Sequence, residues 1–176
     1  MFASLRLNLV PFTIEMLHSI KAGPAHFYSK FGIILPVPFT EFPESIDNTL
    51  NQLKENTPGL AQSYAIIIKN SFSYIGQIGF FTPPDENGSI ELGYEITHAF
   101  RGRGYADEAV KKIIQIAFDS TETKSIIAHT LPINNASSHL LIKNHFIYEK
   151  KVLSPEDGIL WQWKLTKKLY LLKQMF

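Results

Sequence analysis

The stretch AFRGRGYADEAVKKIIQIAF, residues 99–118, places two arginines and two glycines directly before a segment with helical periodicity. The apolar residues of this segment recur every three or four positions, which predicts one buried helix face made of Ala106, Ala109, Val110, Ile113, Ile114 and Ala117. On the outer face, Asp107 with Lys111 and Glu108 with Lys112 have the i, i+4 spacing of ion pairs. The glycines therefore stand at the N-terminus of a helix.

That position is suited to binding an anion. The first backbone N–H groups of a helix have no intrahelical acceptor, and the helix dipole is positive there. Gly102 and Gly104 would let the backbone approach a ligand closely, and Arg101 and Arg103 would add charge. A plain turn with solvated arginines is the alternative. Tyr-Ala after Gly104 excludes a P-loop, and the missing third glycine excludes the dinucleotide fingerprint.

The rest of the chain predicts a mixed α+β fold. Alternating or apolar runs predict strands at 4–10, 63–69, 73–81, 89–96, 125–131, 146–153 and 159–165. Helices are expected to start near Thr13, to cover 43–56, and to run from about Asn134 to Asn144. The three strands from 63 to 96 form an antiparallel meander, and the helix after residue 104 is a crossover to a parallel strand at 125–131. The Gly- and Pro-rich segment 20–43 predicts irregular structure.

Composition limits the class of protein. The 176 residues are enough for one domain, and 45% of them are hydrophobic. A formal net charge of +1 provides no global field for nucleic acid or an anionic membrane, so we expect neither as a partner. The absence of cysteine excludes disulfides and thiolate metal sites. The opening MFASLRLNLVPFTIE resembles neither a signal peptide nor a membrane span, and the expectation is a soluble, cytoplasmic protein.

Four motifs in order resemble the GNAT acyltransferases. RGRGYA at 101–106 resembles the Arg/Gln-x-x-Gly-x-Gly/Ala loop of that family, and IELGYEI before it resembles the family's splayed central strand. AHTLPINNASSHLLIKNHF at 128–146 resembles the next strand and the Asn-x-x-Ser helix of the branch that includes the ribosomal-protein N-terminal (Rim-type) acetyltransferases. LRLNLVPFTIE also resembles the opening of that branch. The chain is thereby identified as a member of the family.

This resemblance implies a fold and a co-substrate. The fold is one GNAT-like domain over 1–176, with a mostly antiparallel sheet flanked by helices and a splayed parallel strand pair at the cofactor site. Acetyl-CoA would place its pyrophosphate on the glycine loop and its pantetheine arm along the splayed strand. The implied cofactor contacts are Ile96, Thr97, His98, Arg101, Gly102, Arg103, Gly104, Tyr105, Ala106, Asn134 and Ser137.

The same resemblance suggests a general base. Glu91 shares a strand face with Gly93 and Glu95 by period-two alternation. Family members often use a glutamate of this strand as the base, which makes Glu91 the predicted base and Glu95 its alternative. For either residue, a solvent-facing strand glutamate is the competing interpretation.

The general acid departs from the family pattern. Many GNAT enzymes have a tyrosine seven residues after the asparagine that opens the helix, but counting from Asn134 gives Leu141. Ser137 lies one turn after Asn134 and is the predicted catalytic donor to the leaving thiolate, with a hydrogen bond to pantetheine or a helix-surface role as alternatives. A second departure is His145, where the family usually has glycine. A helix-ending position of this kind often needs a left-handed backbone, which histidine adopts at a modest cost.

The predicted function is transfer of an acetyl group to a primary amine, with a peptide or protein α-amino group as the favoured acceptor. A small amine of the polyamine, antibiotic or amino acid type is the alternative, and a non-catalytic CoA-binding sensor is the competing class. Segment 20–43 and the loop after 146–153 are expected to shape the acceptor pocket.

The remaining residues add few functional signals. The histidines, including His129 in the middle of a strand, show no metal-ligand spacing, so we predict no metal site and interpret them as structural or surface residues. Trp161 and Trp163 share a strand face, which favours packing in the core or at the sheet edge over a platform for stacking bases. The basic C-terminus leaves open a terminal helix, a non-native appendage or a contact in a homodimer.

Overall fold

The fold is an eight-stranded sheet with helices on both faces. The computed structural model describes residues 1–54, 63–81 and 83–175. The strands are β1 (Phe2–Ala3), β2 (Leu7–Pro11), β3 (Ser63–Ile68), β4 (Ser73–Phe80), β5 (Ser89–Ile96), β6 (Ser125–Thr130), β7 (Ile147–Ser154) and β8 (Gly158–Thr166). The helices are α1 (Ile14–Lys21), α2 (Pro24–Phe31), α3 (Glu44–Lys54), α4 (Tyr105–Asp119), α5 (Ala136–Lys143) and α6 (Lys167–Gln174), with a short 3₁₀ turn at His98–Phe100.

The strand order is β1-β2-β3-β4-β5-β6-β8-β7. β5 and β6 are parallel, and the other neighbouring pairs are antiparallel. α4 is the connection between the two parallel strands, because parallel neighbours need a crossover of this length. The predicted meander of β3, β4 and β5, the parallel pair and the α+β class are confirmed.

The core has one part on each face of the sheet. On one face, α4 packs the predicted side chains Ala109, Val110, Ile113, Ile114 and Ala117 against strand residues such as Leu92 and Ile126. On the other face, α1 to α3 cover only the half of the sheet around β3 and β4, through residues such as Leu17, Phe27 and Ile46. A fully buried side chain of this kind contributes about 1.5–3 kcal/mol to folding. Trp163, 5% exposed, belongs to the α4 core and Trp161 packs beside it, as predicted.

Two elements differ from the sequence prediction, and a third realises an alternative that the sequence left open. The segment 20–43 contains a regular helix, α2, whose Pro24 stands in the first turn and whose end is set by Gly32 at φ +67°. Those are ordinary helix start and stop signals, which the high Gly and Pro content of the segment obscured. The short strand β1 was not predicted, and the basic C-terminus forms α6. Predicted helix 43–56 is observed as α3, and residues 55 and 56 lie outside the described residues.

One predicted ion pair is present and the other is wrong. Lys111 Nζ lies 3.0 Å from the Asp107 carboxylate, as the spacing predicted. Glu108 pairs instead with Arg6, whose Nε lies 2.7 Å from Oε2, and its Oε1 accepts the Arg6 amide at 2.6 Å. A segment distant in the sequence thus provides a better partner than Lys112, which donates to Gln115.

Candidate active site

The parallel strands β5 and β6 separate partway along their length. Their register runs only from Ser89 opposite Ser125 to Glu91 opposite Ile127. β5 continues to Ile96, held on its other side by β4, and β6 continues to Thr130, held by β8. A wedge-shaped gap lies between the unpaired ends. On the β5 side of this wedge, backbone groups form no ladder hydrogen bonds with β6. The predicted splay is confirmed.

The glycine loop opens at the end of this wedge. Gly104 is the N-cap residue of α4 at φ +77°, and Gly102 stands at φ +73°, both in the left-handed region that favours glycine. No side chain among the described residues caps the N-terminus of α4. Apart from Gly102 itself and its two chain neighbours, no atom of the described residues lies within 4 Å of where a Cβ on Gly102 would be. The loop therefore presents uncapped helix N–H groups beside open space, which fits the predicted pyrophosphate contact.

The two loop arginines have partners within the protein. Arg101 Nε donates to the Ile96 carbonyl at 2.8 Å, and its Nη2 lies 2.8 Å from the Glu41 carboxylate. Arg103 Nη2 donates to the Ala99 carbonyl at 3.1 Å. Both side chains are nevertheless exposed, so each remains within reach of a ligand at the loop.

Backbone groups predicted to contact pantetheine are partly engaged. The Ile96 carbonyl already accepts from Arg101, although a carbonyl has a second lone pair. Thr97 is buried, its amide donates to Ile75 O at 2.8 Å and its hydroxyl to Phe39 O at 3.0 Å. His98 is exposed in the 3₁₀ turn. The loop members Tyr105 and Ala106 are half-buried in the first turn of α4.

The two glutamates of β5 differ in availability. Glu95 is 6% exposed, and its carboxylate accepts from the Thr40 hydroxyl at 2.6 Å, the Glu41 amide at 2.6 Å and Gln77 Nε2 at 3.4 Å. Glu91 is half-buried, and its Oε1 lies 2.7 Å from His129 Nδ1. Glu91 therefore has room for a proton on its second oxygen, whereas Glu95 anchors the segment before α3.

The residues that cap the N-terminus of α5 are one position later in the sequence than the Asn134 and Ser137 of the motif. Asn135 is the N-cap residue: its side chain accepts from the Ser138 amide at 2.9 Å, and the Ser138 hydroxyl accepts from the Asn135 amide at 2.9 Å. Asn134, at which the sequence predicts the helix to start, is instead exposed and lies before the N-cap residue. Ser137 is half-buried and takes no part in the capping box.

Tyr94 is a site residue that the sequence reasoning missed. It lies in the unpaired half of β5, and its hydroxyl points to Ser137, 3.4 Å from the Ser137 carbonyl. Burial raises the pKa of Tyr94 to about 12, while a hydrogen bond with the Ser137 side chain lowers it by less. The hydroxyl therefore stays protonated at neutral pH and remains a donor. The Gly-Tyr pair before the loop belongs to the predicted strand, and no sequence signal distinguishes this side chain from the other strand residues.

A separate groove lies away from this wedge. It measures about 470 Å³ and runs between α4, the end of α5 and α6, with Lys111, Lys143 and Tyr170 among its lining residues. His145, at φ +66° as expected for a helix-ending left-handed position, also lines it. Neither Glu91 nor Ser137 is among the lining residues. Glu91 lies where the wedge between β5 and β6 begins, and Ser137 lies beside Tyr94, so neither predicted catalytic residue belongs to this groove.

Two absences hold for the described residues 1–54, 63–81 and 83–175. No helix there is both long and apolar enough to cross a lipid bilayer. No group of three or more His, Asp or Glu side chains is arranged there to hold a metal ion.

The fold and the loop define a class. The family model described as the acetyltransferase (GNAT) domain matches residues 6–147, and the chain belongs to this family. The class is that of acyltransferases that use acetyl-CoA, and the glycine loop, the uncapped helix and the splayed strands of this chain fit that co-substrate.

Individual proteins show the same relationship. The chain is 35% identical over 118 residues to p20, an uncharacterized N-acetyltransferase of Bacillus licheniformis, and the match covers 66% of this chain and 64% of that relative, slightly less than two thirds of its length.

Among solved structures, the spermidine/spermine N-acetyltransferase SpeG of Vibrio cholerae is similar with a TM-score of 0.69, 16% identity and 96% of each chain covered. RimL, a ribosomal alpha-N-protein acetyltransferase in complex with coenzyme A, is similar with a TM-score of 0.68 and 15% identity, over 94% of this chain and 97% of RimL. At these identities the two structures establish the fold and do not distinguish a polyamine from a protein acceptor.

Proposed function

We propose that the chain is an N-acetyltransferase that moves the acetyl group of acetyl-CoA to a primary amine, and in particular to the α-amino group of a peptide or protein. The observation that carries this proposal is the separation of β5 and β6 immediately after Glu91, beside the uncapped N-terminus of α4. An acyl donor in the wedge would meet a carboxylate at one end and a helix N-terminus at the other.

The glycine loop and its neighbours would bind acetyl-CoA mainly through the negatively charged pyrophosphate of the co-substrate. When bound, acetyl-CoA supplies the activated acetyl group as a thioester. The helix N–H groups after Gly104 and the exposed Arg101 and Arg103 would hold its pyrophosphate. The free backbone edge of β5 beyond Glu91 would hydrogen-bond its pantetheine arm, as the resemblance to the family implies.

Glu91 is the proposed general base. The attacking amine must be neutral, and a carboxylate at the start of the wedge can accept its proton. Glu95 is a poorer candidate because its two oxygens already accept hydrogen bonds from Thr40, Glu41 and Gln77. A base within hydrogen-bond reach of the amine contributes typically 10²–10⁴-fold to the rate.

Ser137 is the proposed donor to the leaving thiolate. It follows the exposed Asn134, which we propose as a cofactor contact, and it lies against the Tyr94 hydroxyl. A tyrosine held protonated by burial can replenish a proton given up by the serine. Tyr94 thereby stands in for the tyrosine that the family pattern has at the position of Leu141.

The preference for an α-amino group rests on chemistry and on the resemblance to the Rim-type branch. An α-amino group has a pKa of about 7.7–8.0, against about 10.4 for lysine. Near neutral pH it is therefore more than two pH units closer to its nucleophilic form, a difference of about 3 kcal/mol. A site with one carboxylate as base suits the more easily deprotonated amine.

The experiment is an acetyl-transfer assay that follows free CoA. Wild-type protein is incubated with acetyl-CoA and equal concentrations of a peptide with a free N-terminus, an N-blocked lysine peptide and spermidine, and products are resolved by mass spectrometry. We expect acetylation of the peptide α-amine. Transfer to spermidine or lysine alone would overturn the acceptor choice, and acetyl-CoA binding without CoA release for any amine would instead support the sensor class. A cytoplasmic location and a homodimer stay predictions of the sequence.

A further inference from the structure

A histidine bridges the point where the two parallel strands part. Glu91 is the last residue of β5 that pairs with β6, and His129 lies two residues beyond its pairing partner Ile127, on the same face. His129 Nδ1 and Glu91 Oε1 are 2.7 Å apart. The two side chains are 20% and 33% exposed, so they are accessible from the face that α1 to α3 leave uncovered. Within the described residues, the second oxygen of Glu91 accepts no hydrogen bond.

The other side of the imidazole is held by a polar chain. His129 Nε2 lies 3.2 Å from Gln162 Oε1 on β8, and Gln162 Nε2 donates to Glu149 Oε2 on β7 at 2.5 Å. Lys164 Nζ lies 3.3 Å from the other oxygen of Glu149. Burial raises the pKa of Glu149, but hydrogen bonds from Gln162 and Lys164 outweigh it and bring that pKa below its usual range. Flipping the Gln162 amide would set its oxygen against the Glu149 carboxylate, so the amide orientation is determined by Glu149.

This orientation determines the tautomer of His129. Because Gln162 presents its oxygen, Nε2 of the ring must carry a hydrogen to donate to it. Nδ1 is then the ring nitrogen that can gain or lose a proton, and it faces the Glu91 carboxylate. Glu91 and His129 thus share one proton site between an oxygen and a nitrogen, and the outer oxygen of Glu91 points to the open face.

We propose that His129 is the positioning residue of Glu91 and shares its proton during acetyl transfer, an inference that rests on the proposed function. The pair starts with one proton between the inner oxygen of Glu91 and His129 Nδ1. An N–H bond of the acceptor breaks as its proton passes to the outer oxygen of Glu91, and the shared proton is then held on His129 Nδ1, so the pair has gained one proton. The amine nitrogen bonds to the acyl carbon, and the C–S bond breaks with its electron pair leaving on sulfur. The thiolate takes a proton from the Ser137 hydroxyl, and the proton that the Glu91–His129 pair gained returns through solvent to the Ser137 side, so atoms and charge balance.

The test compares kinetics of four proteins after their folding is verified by circular dichroism and their acetyl-CoA affinity by calorimetry. These are wild type, His129→Ala, His129→Gln and the control His139→Gln, whose exposed histidine lies on α5. We expect kcat to fall by roughly 10²-fold in both His129 variants, the lower end of the range for acid–base catalysis, with the KM for acetyl-CoA unchanged. The His139 variant should match wild type. Imidazole added to His129→Ala should restore at least part of the lost turnover, because it can fill the half-exposed space beside Glu91.

The outcomes separate two failures. Wild-type protein that transfers acetyl to no amine would overturn the proposed function and this inference with it. Active wild type together with unchanged kcat in both His129 variants would overturn this inference alone. A loss that appears only in KM, or that imidazole fails to restore in folded His129→Ala, would also overturn it and leave His129 a structural residue. His129→Gln keeps a donor toward Glu91, so it tests the inference even where the alanine variant does not fold.

Discussion

The entrances of α4 and α5 are two solutions to the same structural problem. Each helix follows a strand of the parallel pair, and each must satisfy the backbone N–H groups of its first turn. α5 does so internally, since Asn135 and Ser138 form a reciprocal capping box. α4 does not: its N-cap is Gly104 in a left-handed conformation, and no described side chain caps it. The helix that caps itself is a structural element, and the helix without a cap has donors available for a ligand.

This difference assigns separate roles to neighbouring residues. Replacing a good N-cap side chain costs typically about 1 kcal/mol when alanine takes its place but only a few tenths of a kcal/mol when glycine does, so the glycine N-cap of α4 gives up little stability. The first turn of α4 carries Asp107 and Glu108, which favour the positive end of the helix dipole, whereas the first turn of α5 has no acidic residue. The side chains that stabilise the first turn of α4 therefore lie on the side of the helix, and the backbone N–H groups at its N-terminus stay available to a ligand.

The strongest test of the comparison is Gly104→Val. A β-branched residue at φ +77° is strained by about 1–3 kcal/mol, and its side chain would occupy the approach to the helix N-terminus. Together with the loss of close backbone hydrogen bonds we expect acetyl-CoA affinity to fall by roughly 10³-fold, or about 4 kcal/mol, in calorimetry. The matched control is Gly158→Val, at the same φ of +77° in the turn between β7 and β8.

The control should lose similar stability and keep its affinity, because nothing lies within 4 Å of a Cβ there and the turn is remote from the loop. Unchanged affinity in folded Gly104→Val would contradict the pyrophosphate role of the loop.

The second test separates the adjacent serines of α5. Ser137→Ala should lower kcat by roughly 10²-fold with little change in KM for acetyl-CoA, if it donates to the thiolate. Ser138→Ala should instead lower the free energy of unfolding by about 1 kcal/mol, because it removes half of a buried capping box. Urea unfolding and steady-state kinetics on both variants measure the two effects. The reverse assignment, with Ser138→Ala losing turnover at full stability, would contradict the division of roles.

A smaller effect is expected from Arg101→Ala. The backbone donors after Gly104 survive this change, so acetyl-CoA affinity should fall only about tenfold, the scale of one charge-assisted hydrogen bond at an exposed site. Glu41→Gln is the control, since it removes the partner of Arg101 and leaves the guanidinium in place. Calorimetry should show no weakening for the Glu41 variant. A loss in Arg101→Ala as large as that in Gly104→Val would show that charge, not backbone, dominates the loop.

The parts of the site that the sequence predicted are the local ones. The glycine loop, the buried face of α4 and the left-handed His145 depend on backbone angles and spacings within a few residues, and all are observed. The helix of segment 20–43 was missed although its signals are also local, because Pro24 and Gly32 were counted as evidence for irregular structure. The doublets Asn134-Asn135 and Ser137-Ser138 allow two registers, and the motif cannot tell which pair caps the helix.

Non-local contacts could not be predicted from one sequence. Whether Glu91 or Glu95 is available depends on Thr40 and Glu41, which saturate Glu95 from a segment over fifty residues away. The contact of Glu91 with His129 depends on the register of β5 against β6, and a shift by one residue would place the histidine on the other face. The same applies to Glu108, whose partner Arg6 lies before the first helix.

The smallest expected effect concerns the acids on the side of α4. Burial raises the pKa of Asp107, but hydrogen bonds from Lys111, Lys143 and Asn144 outweigh it, so its pKa lies below the usual range. Burial likewise raises the pKa of Glu108, and bonds from Arg6 and Ser4 bring it below its usual range. A carboxyl group with a lowered pKa contributes stability above the usual carboxyl pKa of about 4, and this contribution is lost as the pH falls through the pKa of the folded state.

We therefore expect the double variant Asp107→Asn, Glu108→Gln to have a free energy of unfolding lower by about 0.5–1 kcal/mol at pH 7, the scale of solvent-accessible ion pairs. Urea unfolding at pH 7 and at successively lower pH below 4 should show the wild type and the variant converging, because protonation removes from the wild type what the substitutions removed from the variant. Glu86→Gln, at an exposed carboxyl with no pairing among the described residues, is the control and should follow the wild type at every pH. A constant difference in the free energy of unfolding between wild type and double variant, down to the lowest pH, would show that these side chains stabilise α4 by packing. Their charges would then not be what stabilises the uncapped first turn of α4.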